Sequence, residues 1–221
     1  MPDRNREIPE NVSRETFGPE EFVAAANVSR ETMAMFRVYA AMLEEWGSHT
    51  NLVSKSSMGE LWERHFWDSA QVAALIPATA QRFADLGSGA GFPGLVLAIL
   101  LRQRPGLKMA LYESTGKKAR FLAAVAERLH LPVEVRNLRI EDEKPRKFDV
   151  ITARACAPLE RLLPYAHLFW KASSRAFFLK GQNVDAELTQ ARKSWSIEVL
   201  SHPSRSDPRG HILEIRELGP L

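Results

Sequence analysis

What most constrains the fold of this chain is the rhythm of its apolar residues after Pro77. From there on, short apolar runs alternate with stretches of helical periodicity. "RFADL" leads to "PGLVLAILLRQ", "KMALYES" to "TGKKARFLAAVAERLH", and "VEVRN" precedes "FDVITARA". "LERLLPYAHLFWK", kinked or divided by Pro164, then gives way to "RAFFLKG", "VDAELTQARKSW", "IEVLSH" and "HILEIREL". Strands alternating with helices assemble a mostly parallel sheet covered on both faces. The expected class is therefore α/β, a Rossmann-like sheet with helices on both sides. In such open sheets ligands bind beyond the carboxyl ends of the strands, at the switch point.

The segment before Pro77 reads differently, as a small helical region. Residues 1–16 are polar and expected to fray. "PEEFVAAANV" is a short helix opened by proline and two acids. Ser29 caps a second helix carrying Met33, Phe36, Ala40 and Leu43 at helical spacing and ending at Trp46-Gly47. A third is expected from about Met58 to Ile76, with Leu61, Ser69, Val72 and Ile76 along one side. The expected division is 1–78 for this region and 79–221 for the core.

Composition sets limits on what the core can meet. The chain has 221 residues, 45% of them hydrophobic, enough to bury a real core. No stretch reaches the roughly 18 uninterrupted apolar residues of a membrane span, and the charged N-terminus carries no export signal, so a soluble cytoplasmic protein is expected. A single cysteine, Cys156, fits a reducing compartment. The net charge of +3 hides an asymmetry: residues 1–80 hold 7 Lys and Arg against 12 Asp and Glu, residues 81–221 hold 23 against 15. An acidic front and a basic back suit either a solvated basic face or a polyanionic partner.

"ADLGSGAGFPG", Ala84 to Gly94, places four glycines in eleven positions directly after the first strand. Gly89-Ala-Gly91-Phe-Pro-Gly94 matches the dinucleotide pattern G-x-G-x-x-G, a weak signal by itself. The first glycine after the strand is nevertheless Gly87, with Asp85 two residues before it and Pro93 opening the following helix. A turn of this form brings backbone close to a ligand and sets a carboxylate beside it. That suits a cationic amine, as in S-adenosylmethionine, better than a pyrophosphate. Glu113 ends the second strand, where a carboxylate can accept both ribose hydroxyls of an adenosine, whether of NAD or of S-adenosylmethionine. In "RIED", Ile140 is placed to pack on an adenine and Glu141 to accept from its amino group.

Together these segments resemble a known family. "ADLGSGAGFPGLVLAIL", "LYESTGKKARFL", "RNLRIED" and "ITARACAPL", with "WGSHTNLVS" and "ERHFWDSA" upstream, resemble in order the bacterial ribosomal small-subunit RNA guanine-N7 methyltransferases, the RsmG or GidB family. The resemblance runs from about Met42 to Gly181. It implies a class I methyltransferase fold, S-adenosylmethionine held at Gly87, Phe92, Ile140, Glu141 and Arg154, and methylation of guanine N7 in 16S ribosomal RNA of small-subunit particles by a monomer. One departure is Glu113, where family members commonly carry Asp.

The chemistry of N7 agrees with what is missing. Guanine N7 offers a lone pair and carries no proton, so no general base is required and none is evident. Exocyclic amine methylation would favour a polar-proline-proline-aromatic loop after the fourth strand; the chain has "ARACAP". Cytosine C5 methylation needs a cysteine nucleophile, and Cys156 lacks both the usual Pro-Cys pairing and a second cysteine; small core residue is its other role. Lys117, Lys118, Arg154 and Lys180, at strand ends or the start of the helix after Glu113, are expected to crowd the cofactor rim as RNA contacts, joined by Arg64 and His65. Arg154 can pair with the methionine carboxylate or grip an RNA phosphate. Trp62, Phe66 and Trp67 suit packing or stacking on a flipped base, Asn51 and Asp68 suit loop ties, and no Cys/His cluster has metal-ligand spacing. A nicotinamide-dependent reductase and a non-catalytic RNA chaperone remain open beside the main reading.

Overall fold

The computed structural model describes residues 17–48 and 50–221, so the terminus expected to fray lies outside the described residues. Helices α1 (Pro19–Ala26) and α2 (Arg30–Gly47) form where the periodicity places them, and the Ser29 hydroxyl accepts from the Thr32 N–H as the cap of α2. The third predicted helix is not one helix. It is divided into α3 (Lys55–Met58), a π-helical turn (Leu61–Trp67), a short α4 (Asp68–Ala70) and a 3-10 stretch (Gln71–Leu75).

The strands and helices that follow are β1 (Arg82–Leu86), α5 (Gly94–Leu101), β2 (Lys108–Tyr112), α6 (Gly116–Arg128), β3 (Val133–Arg136), β4 (Val150–Arg154), α7 (Leu159–Leu168), β5 (Arg175–Lys180), α8 (Val184–Ala191), β6 (Trp195–Pro203) and β7 (His211–Pro220). They build one seven-stranded sheet of order β3-β2-β1-β4-β5-β7-β6. Strands β1 to β5 are parallel, while β7 runs antiparallel to both β5 and β6. The chain steps one way from β1 to β2 and the other way to β4, so the switch point lies at the β1 and β4 ends. Helix α7 runs on through Pro164 rather than dividing there.

Helix α5 explains why the N-terminal helices are needed. "GLVLAILL" is apolar on every side, and Gly94 to Ile99 are all buried. A helix with no polar face needs cover on both sides. The sheet covers one side through Phe83, Met109 and Leu111. On the other, α2 and the 3-10 stretch pack against it within the same core, with Phe36, Tyr39, Leu43 and Val72 buried. A second core under α7 and α8 joins Leu86, Tyr112, Leu159, Leu163, Phe169 and Phe178. Among the described residues no helix is long and apolar enough to cross a membrane.

Candidate active site

At Gly87 and Gly91 the glycine turn is shaped by contacts that leave no room for a side chain. Gly87, Gly89 and Gly91 all adopt positive φ, at 64°, 58° and 103°. A Cβ on Gly87 would lie 2.4 Å from the Cys156 sulfur, and one on Gly91 would strike Leu95 and the Tyr39 hydroxyl. Tyr39 of α2 donates to Ala90 O at 2.5 Å, so the helical region props the turn from behind. Glu113 closes it from the front. Its Oε2 accepts from the Gly89 N–H at 2.9 Å and its Oε1 from the Thr115 N–H at 2.7 Å, tying the turn to the N-cap of α6.

Between this turn and the ends of β2 and β3 lies a cleft of about 210 Å³, lined by Gly87, Glu113, Ile140, Glu141, Cys156 and Tyr165 among others. Ile140 is buried, whereas Glu141 is exposed and accepts from the Tyr165 hydroxyl at 2.5 Å. Four positions named from sequence, Gly87, Glu113, Ile140 and Glu141, thus meet in one cleft. Arg139, Arg161 and Tyr165 line it too and were not foreseen. Arg161 and Tyr165 stand four apart on α7 among its buried leucines, a spacing that puts them together on one helix face.

Asp85 does not reach the cleft wall; it is fully buried behind the turn. Thr152 of β4 donates to Oδ1 at 2.7 Å, while Oδ2 has no hydrogen-bond partner. Burial pushes its carboxyl up to about 6, against the opposing pull of Thr152, Ser88, the Gly94 amide and Arg154. The folded pKa exceeds the unfolded value of 3.8, so stability is lost as pH rises through 6, by at most about 3 kcal/mol. Because His65 gains stability over the same window, the loss is read as a difference: urea unfolding is expected to show the parent losing stability relative to Asp85→Asn between pH 4 and pH 7.5. Equal pH dependence in both proteins would rule it out. A ligand amine near the turn would offset the cost, so an aminium-bearing ligand is expected to bind the parent more weakly at pH 5 than at pH 7.5.

Arg154 is placed differently from its expected role at an open rim. Its guanidinium donates to Arg64 O at 2.8 Å and His65 Nδ1 at 2.7 Å, and pairs with Asp68 Oδ2 at 3.3 Å. It also sits 4.7 Å above the Phe92 ring, on which His65 stacks. Only 15% of the side chain is exposed. The π-helical turn makes this possible. In an α-helix the Asp68 N–H would bond to Arg64 O; here it is shared between Glu63 O and His65 O, and Arg64 O accepts from Arg154.

His65 must accept at Nδ1, because a guanidinium only donates, so its proton sits on Nε2, buried and unpartnered. Burial, then Arg154 and Arg64, push its pKa down to about 3, keeping the ring neutral at pH 7. Asp68 does tie loops together, since its Oδ1 accepts from Ser206 at 2.7 Å and Ser204 at 3.4 Å in the β6–β7 connection. Trp62 and Phe66 pack with Phe22 and Phe36, and Trp67 against Phe17.

Of the cations expected to crowd one rim, Arg64, Arg154 and Lys180 line one cavity with His65, whereas Lys117 lies elsewhere. Lys180 is 9% exposed and its ammonium is held by Glu187 at 2.6 Å and by Ala157 O at 3.1 Å. Lys117 lines a separate hollow with Trp46, Thr50 and Arg120, and Lys118 is half-buried beside it in sequence. Arg64 is exposed and pairs with Glu60 one turn earlier. Strand ends alone predicted proximity; the directions of Arg64, Arg154 and Lys180 are set by a nearby acid or carbonyl. Among the described residues no His, Cys, Asp and Glu cluster could hold a metal ion.

A family model described as GidB, rRNA small subunit methyltransferase G, matches residues 32–213. The chain belongs to this family. The ribosomal RNA small subunit methyltransferase G of Parvibaculum lavamentivorans is 48% identical over 204 residues, covering 91% of this chain and 90% of its own. That of Rhodospirillum rubrum is 47% identical, over 90% of this chain and 98% of its own. The crystal structure of a putative O-methyltransferase from Klebsiella pneumoniae shares the fold, with a TM-score of 0.58 at 14% identity, covering 89% of this chain and 94% of that one.

As a member of the methyltransferase G family the chain is an enzyme, and Cys156 is the residue whose role then needs deciding. Burial, with Asp85 and Glu113 nearby, pushes its thiol up to about 11, so it is protonated at neutral pH and a poor nucleophile. Cys156→Ser is expected to lower turnover by no more than about fivefold and to form no covalent RNA adduct on denaturing gels. Complete loss of turnover with normal cofactor binding would instead restore the cytosine chemistry.

Proposed function

We propose that this protein transfers a methyl group from S-adenosylmethionine to guanine N7 in 16S ribosomal RNA, acting in the cytoplasm as a monomer on small-subunit particles. The observation that carries the cofactor is the cleft itself. A side-chain-free wall at Gly87, a carboxylate at the end of β2 and a buried apolar residue at Ile140 converge there, with the partnerless oxygen of Asp85 behind the turn. These fit the cofactor group by group. Glu113 would hold the ribose hydroxyls, Ile140 and Glu141 the adenine, and the backbone at Gly87 the methionine end, with the Asp85 carboxylate behind the turn to offset the charge of its amine. When bound, the cofactor supplies a methyl group on a sulfonium, an electrophile that needs no activation by acid or metal.

The chain's own task is placement, which supplies much of the acceleration in such a displacement. N7 brings its own lone pair, so the neutral His65 and the protonated Cys156 leave no proton transfer wanting. Residues 79–221 form the cofactor core under this reading, and the helical region up to residue 78 braces the turn through Tyr39 and the β4 end through Arg64, His65 and Asp68. Family membership supports the RNA substrate. Tritiated methyl transfer to naked RNA, small subunits and intact ribosomes, with the product base identified, tests the proposal. Label appearing in any base position other than guanine N7 would refute it.

A further inference from the structure

The β4 loop divides the carboxyl edge of the sheet into two cavities. Ala155, in the left-handed region at φ 49°, turns the chain there. Cys156 and Ala157 consequently line the cleft over β1 to β3, whereas Arg154 and Ala155 line a second cavity of about 510 Å³ over the ends of β4, β5 and β7. That volume is in the range of small-molecule sites, roughly 300–1,000 Å³. The π-helical turn contributes Arg64 and His65 to it, β5 contributes Lys180, and α8 contributes Glu187.

The chemistry of this cavity differs from a phosphate site. Lys180 does not offer a net charge, because Glu187 neutralises it at 2.6 Å. What the pair offers is a donor beside an acceptor, each anchored by backbone: Ala157 O holds the ammonium and the Leu159 N–H, at 2.6 Å, holds the carboxylate. An edge complementary to that pair presents an acceptor next to one or more N–H donors. Guanine does so with O6, N1–H and N2–H, while adenine presents the reverse order, a donor beside an acceptor. Enzymes acting on a flipped base read this same edge, and reading it leaves N7 uncommitted.

Resting on the guanine reading above, we infer that the cavity over β4 and β5 receives the acceptor base and that Lys180 and Glu187 read its Watson–Crick edge, Lys180 donating to O6 and Glu187 accepting from N1–H and N2–H. The ion pair that closes on itself in the free protein opens to admit the base. Both heads keep their backbone anchors as it does so, so little ordering is left to binding. Lys180 is thereby a specificity residue and not a phosphate contact.

Inosine is guanosine without the N2 amine, and a site built to bond that amine penalises its loss. The test uses full-length protein and small-subunit RNA carrying guanosine or inosine at the methylated position, with S-adenosylhomocysteine affinity measured by calorimetry as a check on the cofactor site. The parent is expected to show kcat/KM at least ~10-fold lower for inosine. Glu187→Gln, whose amide oxygen can still accept from Leu159, is expected to lose activity on guanosine, keep S-adenosylhomocysteine affinity and discriminate less than ~3-fold. Equal rates on the two substrates in the parent would overturn the inference, whether or not the variant folds. So would a folded Glu187→Gln that discriminates as the parent does. Methylation of the RNA at no guanine would remove the underlying reading as well, an outcome distinguishable from the other two.

Discussion

Arg154→Ala is expected to lower methyl transfer at least ~100-fold, about 2.7 kcal/mol of transition-state stabilisation, and to destabilise the protein by roughly 2–4 kcal/mol. The loss comes from everything the guanidinium joins. Without it Asp68 Oδ2, Arg64 O and His65 Nδ1 lose a donor inside the protein, and Phe92 loses the cation above its ring. For a chain of this length the melting temperature is expected to fall by roughly 5–15 °C. Lysine keeps the charge and loses the fork, so Arg154→Lys is expected to recover little of either effect. Thermal unfolding and single-turnover methylation of both variants check this. An Ala variant with the parent's melting temperature and turnover would show that the clamp carries nothing. His65 gives the clamp a pH signature. Its folded pKa of about 3 is below the unfolded 6.5, so its share of stability is present above 6.5 and is lost as pH falls towards 3. Burial is the larger cause of that shift and Arg154 the next, so Arg154→Ala is expected to make the acid limb shallower.

Gly87→Val is expected to abolish S-adenosylhomocysteine binding by calorimetry and to destabilise the fold. Two costs coincide at this position. A β-branched residue at φ 64° is strained by about 1–2 kcal/mol, and its Cβ would lie 2.4 Å from the Cys156 sulfur, adding about 1–3 kcal/mol of overpacking. The glycine is therefore required by the β4 loop as well as by the cofactor proposed for the cleft, and the two requirements can be separated. In Gly87→Ala the collision with Cys156 remains. Adding Cys156→Ala removes the sulfur and leaves only a 3.0 Å approach to its Cβ. The double variant is expected to be more stable than Gly87→Ala alone by about 1 kcal/mol, with cofactor affinity still reduced by the strained turn. Additive effects of the two substitutions would mean that the contact is relaxed by backbone movement instead.

Sequence by itself determined the sheet, the place of the glycine turn and the acids beside it, because each depends on neighbours a few residues away. The alternation of "RFADL", "KMALYES" and "FDVITARA" with helical stretches specifies parallel strands, and residues at strand ends share one edge whatever the packing, which is why Gly87, Glu113, Ile140 and Glu141 meet. What lies between distant segments was decided only in three dimensions. Asp85 reads as a ligand contact at its strand end, yet its side chain faces Thr152, 67 residues on, and is sealed from the cleft. "LWERHFW" reads as α-helix, and its π turn leaves Arg64 O to a guanidinium that arrives from β4, in a clamp whose His65 and Arg154 stand 89 residues apart. Lys180 reads as a rim cation, and it turns inward because α8 sets Glu187 beside β5. In each case a buried polar group found its partner through packing. Unpaired donors and charges are costly inside a protein, so the partner that tertiary structure supplies, and not local propensity, sets where such a side chain points.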